Sequence, residues 1–212
     1  MLRYLKFPLL GILFLLFMMP AAGWTDESAG PQAQLEVSVN RLLKILEDKE
    51  LRQPDKKAER RSKVADEAFS QFNLTRMAML SLGRGWKKLS PEERREFTGL
   101  FRQLLVKSYI STIDKYSGQK VVFTRETVKG DRAEVRSKVI SSDREIPIYY
   151  KMRRSKNGKW QIYDVIIENV SLVRNYRSQF APLMKKHGYS GLRQRMQKRI
   201  DEIARQEQKQ DG

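Results

Sequence analysis

Residues 158–180 read GKWQIYDVIIENVSLVRNYRSQF. The stretch is entered through Lys156-Asn157-Gly158-Lys159, and Asn-Gly between apolar runs is a strong signal for a tight hairpin turn. The eight residues that follow are mostly aromatic or β-branched. Trp160, Ile162 and Ile166 fall on one face of an alternating strand, and Tyr163, Val165 and Ile167 on the other. A strand apolar on both faces belongs inside a sheet, covered on both sides. Beyond Glu168-Asn169 the apolar spacing changes from two to three and four. That predicts helices over 170–187 and 190–207, separated by His187-Gly188-Tyr189.

Moving upstream, three more segments carry the strand period. Residues 120–128 (KVVFTRETV) turn at Gly130-Asp131 into 132–141, where Ala133, Val135, Ser137 and Val139 alternate with charged residues. In 145–152, Ile146, Ile148, Tyr150 and Met152 do the same, and Pro147 argues for an edge strand or a bulge. Before the strands, Ser90-Pro91-Glu92-Glu93 places a capping Ser ahead of Pro, with Glu three residues after the cap. Phe97, Leu100, Phe101, Leu104, Leu105 and Tyr109 then repeat at helical spacing up to Gly118. Earlier still, Leu35, Val39, Leu42 and Leu46 mark an amphipathic helix. A charged stretch broken at Pro54 enters a polar helix ending near Phe69, and Asn73–Leu82 is a short helix stopped by Gly83. Helices, a four-strand antiparallel meander and more helices define an α+β domain, with helices packed on one concave face of a twisted sheet.

The N-terminus reads differently. MLRYLK precedes an apolar run over residues 7–19, followed by Ala21-Ala22-Gly23. This is the pattern of a secretory signal peptide, and the run is too short to span a bilayer. Cleavage is expected after Gly23, leaving 24–212 as a single domain whose charged C-terminal end is expected to fray. The sequence has no cysteine, so an exported product would be held by its core alone. With one His and no Cys, the side chains of a zinc site are missing. The formal charge is +17, lowered by two if Arg3 and Lys6 leave with the signal. Such an excess suits nucleic acid, an anionic membrane surface or acidic partners, and export argues against nucleic acid. Lys151, Arg153 and Arg154 beside Tyr149 and Tyr150 read as the wet face of a strand.

Few residues point to catalysis. Asp164 lies on the apolar strand face, where a desolvated carboxylate would be a stronger proton acceptor of the kind a general base needs. The competing assignment is a structural carboxylate paired with Arg or backbone N–H groups. His187 before Gly188 suits a helix end. No phosphate loop, nucleophile elbow or metal-spaced His set is present. What dominates instead is apolar surface, which periodicity alone cannot divide between a filled core and a cavity.

Two ordered blocks of residues carry a resemblance. The first is Leu82-Gly83-x-x-Trp86, Ser90-Pro91-Glu92-x-Arg94-x-x-Phe97-x-x-x-Phe101, Tyr109 and Tyr116-x-Gly118-Gln119-Lys120-Val121. The second is Gly158-x-Trp160-x-x-Tyr163-Asp164-Val165, Glu168-x-Val170-Ser171-Leu172, Asn175-Tyr176-Arg177-x-x-Phe180 and Gly188-Tyr189-x-Gly191-Leu192. Over about residues 35–200 the chain resembles the MlaC, or toluene-tolerance, family of periplasmic phospholipid-binding proteins. Asn169 stands where the family usually has Gly, and Asn tolerates a left-handed backbone.

The resemblance implies an NTF2-like fold enclosing an apolar cavity, and a non-enzymatic, monomeric shuttle without cofactor. It also implies a glycerophospholipid passing between an outer-membrane lipoprotein complex and an inner-membrane ABC transporter with an MCE-domain subunit. On that expectation Leu100, Leu104 and Tyr109 of the long helix would line the cavity. Val135, Val139, Ile148 and Tyr150 of the strands, with Trp160, Ile162 and Ile166, would complete it, and the cavity would be large enough for both acyl chains. The alternatives are an enzyme using Asp164 as general base on a small apolar substrate, and an adaptor with a filled core.

Overall fold

A computed structural model of the chain describes residues 30–114 and 116–211; the expected signal peptide and its cleavage site lie outside the described residues. Four helices come first: α1 (Pro31–Glu47), α2 (Lys57–Ser70), α3 (Leu74–Leu82) and α4 (Pro91–Asp114). Five strands follow, β1 (Lys120–Lys129), β2 (Arg132–Ile140), β3 (Glu145–Arg154), β4 (Trp160–Ile167) and β5 (Val170–Ser171), and then α5 (Leu172–Asp211). The class is α+β, with an antiparallel sheet in the order β1-β2-β3-β4-β5.

The local signals act as their chemistry requires. At α4, the Glu93 N–H donates to Ser90 Oγ at 3.2 Å, and the Ser90 N–H donates to Glu93 Oε2 at 2.8 Å. This reciprocal cap satisfies two N–H groups that the helix cannot. At α3, the Asn73 side chain accepts the Arg76 N–H at 2.9 Å, and Gly83 ends the helix with φ 59°. Gly188, φ 63° and ψ −167°, breaks α5 where two helices were expected.

The sheet departs from expectation in three ways. There is a fifth strand, formed because Glu168 (φ 48°) and Asn169 (φ 67°) both adopt left-handed backbone. Two such residues make the hairpin turn whose twist matches the strands, and Ile167 then pairs with Val170. Second, β3 lies inside the sheet and β4 near its margin, so Pro147 is not on an edge strand. Its carbonyl accepts the Glu168 N–H at 3.1 Å. Its nitrogen faces the same side, at the end of the β3–β4 ladder, where no donor is needed. Beyond β5, the margin of β4 is closed by the α2–α3 turn. The Ile162 N–H donates to the Gln71 carbonyl and Asn73 N–H to the Ile162 carbonyl, both at 2.8 Å.

The third departure decides which side chains share a face. Met152 pairs with Ile162, but Lys151 pairs with Asp164. Tyr163 is therefore an extra residue, a β-bulge that reverses the alternation partway along β4. The concave face receives Trp160 and Ile162, then Val165 and Ile167. Asp164 and Ile166 fall on the opposite pleat, cross-strand from Lys151 and Tyr149.

Candidate functional site

Two packed regions and a space between them organise the interior. In the first, α4 and α5 meet through aromatic rings, and Met77, Ala78 and Leu82 of α3 pack into the same cluster. Phe101 and Tyr176 lie 5.2 Å apart edge to face, and Phe97 and Phe180 5.7 Å apart. In the second, α1 sets Leu35 against Val135, Met152, Trp160 and Ile162 of the sheet. Between them is a cavity of about 310 Å³.

The cavity's walls come from four places. Val64, Ala65, Ala68 and Phe69 of α2, with Phe72 just beyond, form one side. Leu105, Val106 and Tyr109 of α4 form another. Ile148, Tyr150, Val165 and Ile167 form the sheet side, and Leu42, Met77 and Leu172 complete the lining. Every one of these residues is apolar or aromatic. Tyr109 is 40 % exposed, so the wall meets solvent there. Desolvation raises the pKa of both Tyr109 and Tyr150, which keeps both phenols neutral near pH 7. The Ser137 hydroxyl approaches the Tyr150 hydroxyl at 3.5 Å.

Of the ten residues expected at a cavity wall, Tyr109, Ile148 and Tyr150 are brought together there. Leu100 and Leu104 belong to the helical core instead. The apolar stripe of α4 is wide enough to serve two neighbours. The rings of Tyr176 and Phe180 draw the Phe97–Phe101–Leu104 side onto α5, leaving Leu105 and Tyr109 toward the sheet. Val135, Trp160 and Ile162 lie on the concave face but are packed under α1. Val139 is half-buried toward the far end of β2, opposite Ile146. The bulge carries Ile166 to the other pleat, and Val165 and Ile167 take its place.

The α2 wall was missed by its overall polarity. Its signal is present in the sequence: Val64, Ala65, Ala68, Phe69 and Phe72 recur at helical spacing within a charged segment. One turn earlier on the same side, Arg60 and Arg61 meet Asp114 at the end of α4. Arg60 is 3.3 Å from the carboxylate, Lys57 lies at 3.9 Å, and Arg61 is hydrogen-bonded to it. Burial would raise the Asp114 pKa, but the hydrogen bond and charge of Arg61 outweigh it and hold the carboxyl below its ordinary value.

Asp164 is buried, 8 % exposed, and does not line the cavity. Its Oδ2 accepts the Ser171 hydroxyl at 2.7 Å, and its Oδ1 accepts the Val173 N–H at 3.1 Å. Ser171 Oγ in turn accepts the Arg174 N–H at 3.1 Å. The pair caps the start of α5, and both carboxylate oxygens are taken up by it. Among the described residues no group of three His, Cys, Asp or Glu is placed to hold a metal ion. No described helix is long and apolar enough to cross a membrane.

A curved sheet and two helices around an unbroken apolar lining form a container for a hydrophobic ligand. The MlaC protein family matches residues 36–198, and the chain belongs to that family. It is similar to the intermembrane phospholipid transport system binding protein MlaC of Haemophilus influenzae, with 28% identity over 65% of this chain and 66% of that protein. It is also similar to the toluene tolerance protein ttg2D of Pseudomonas putida, with 27% identity over 48% of each. The matched regions thus span about half to two thirds of these relatives' lengths. Among solved structures, a phospholipid-binding protein from Ralstonia solanacearum, in complex with a phospholipid, superposes with TM-score 0.74. It is 26% identical, and the match covers 83% of this chain and 99% of that one.

Proposed function

We propose that this chain is a periplasmic phospholipid carrier. It would hold the acyl chains of a glycerophospholipid between α2, α4 and the sheet while the lipid passes between outer- and inner-membrane complexes. The observation that carries this is the continuous apolar lining, in a member of a family with a phospholipid-bound structural neighbour.

The energetics favour an enclosing device. A diacyl lipid in water exposes about 30 methylenes at ~0.8 kcal/mol each, roughly 24 kcal/mol in all. No surface patch offsets that, whereas a dry cavity does. The donor and acceptor would be an outer-membrane lipoprotein complex and an inner-membrane ABC transporter with an MCE-domain subunit. Export with cleavage after Gly23, and action as a single-domain monomer, belong to the same proposal.

The cavity of about 310 Å³ stands at the low end of the ~300–1,000 Å³ usual for ligand pockets. Close packing explains this, since apolar walls that part without filling the gap forfeit their mutual contacts. Holding two chains therefore requires the walls to move apart.

The test is uptake of a fluorescent phospholipid from vesicles by the protein carrying native or altered Ile148. The native chain should withdraw lipid into a soluble, protein-bound fraction, and Ile148→Asp should not. Equal uptake by both folded proteins would refute the assignment of this cavity.

A further inference from the structure

The convex face of the sheet, opposite the cavity, sets like charges against each other. Arg125 stands directly across from Arg136, and Lys129 across from Arg132. Arg132 is in turn across from Arg153. Like charges directly opposite in a sheet destabilise it, and three such pairs share one face. Acidic groups reach it only locally: Glu134 holds Arg136, Asp131 holds Arg153 and Glu145 holds Lys138, each at 2.7 Å. The Arg136 guanidinium also lies 4.7 Å from the Tyr149 ring centre, a cation–π contact. A groove of about 390 Å³ runs across this face, with Arg125, Arg132, Lys151 and Tyr163 among its lining.

We propose that this face is a docking surface for an acidic patch on a partner protein. Charge complementarity gives the sign. The geometry favours protein over membrane, a choice that rests on the carrier function proposed above. A lipid surface seated here would meet the side of the sheet away from the cavity. A protein bound here leaves the exposed Tyr109 side free. The guanidinium forks of Arg125 and Arg132, which line the groove, match carboxylates in a two-pronged fit. Like charges kept opposite each other, most fully at Lys129 and Arg132 because Arg136 and Arg153 each have a carboxylate partner, are the cost in stability expected of a binding surface.

The test compares two triple variants of the full mature chain. One carries Arg125→Gln, Lys129→Gln and Arg132→Gln. The other removes the same charge from α5 with Lys185→Gln, Lys186→Gln and Arg195→Gln. The probes are a labelled 20-residue polyglutamate peptide, followed by anisotropy at low salt, and phosphatidylglycerol vesicles. The sheet variant should bind the peptide at least tenfold more weakly than the parent and melt at a higher temperature. The α5 variant should stay within twofold and gain no stability. Equal losses in both variants would reduce the effect to net charge and overturn the proposal. So would a sheet variant that loses vesicle binding but keeps the peptide, or one that melts lower. Lipid uptake is measured on the same proteins. A parent that takes up no lipid refutes the carrier function, whereas the peptide comparison judges the docking face by itself.

Discussion

Asp164 shows how one residue's environment settles its role. A carboxylate among apolar neighbours suggests a base; here the Ser171 hydroxyl and the Val173 N–H use both its oxygens. Asp164→Asn leaves one of these contacts poorly matched and should cost about 1–3 kcal/mol, read as a lower denaturation midpoint with lipid uptake unchanged in the folded protein. Loss of uptake at full stability would contradict a structural role. Leu104 and Ile148 make a second contrast. Leu104→Ala opens a hole in the helical core and should cost about 2–5 kcal/mol while leaving lipid uptake intact below the melt. Ile148→Asp should do the reverse, keeping the fold and abolishing uptake. Both residues are apolar at the right period, so the sequence alone does not separate them. Packing against residues far along the chain, those of α5 among them, assigns Leu104 to the helical core.

At the scale of elements, the helix caps, the Asn-Gly hairpin and the break at Gly188 were readable because each is decided by a few neighbouring residues. The bulge at Tyr163 was not, because it depends on the register of β4 against β3. The apolar face of α2 was readable but hidden by the charges around it. The carrier function proposed above needs a cavity wall to move on loading, and a cross-link tests whether that wall is α2. The chain has no cysteine, so Ala68→Cys with Ile148→Cys gives a unique pair for a short, cleavable thiosulfonate linker. Linked protein should fail to take up lipid and recover when the linker is reduced; uptake by the linked form would show that α2 does not move. The Asp114 cluster joins α2 to α4. Its folded-state pKa lies below the ordinary value. The stability it adds is therefore complete above the unfolded-state pKa and is lost as pH falls through the folded one. Asp114→Asn should lower stability near pH 7 and flatten the decline of the melting temperature below about pH 4. An unchanged acid limb would remove Asp114 from that role.

For the whole molecule, the order of periods along the chain was enough for the α+β class, since alternation and helical spacing are local properties. The division of the interior into two packed regions and a cavity is not local. Periodicity marks a buried face without saying what fills the space against it, and seven of the ten residues expected at the wall lie elsewhere. The central claim is that the intact chain encloses a phospholipid, and native mass spectrometry of the mature protein purified without detergent addresses it most directly. A mass increment of one glycerophospholipid per chain, lost in Ile148→Asp and retained in Asp164→Asn, is the predicted result. A folded protein that carries no lipid and acquires none from vesicles would contradict it.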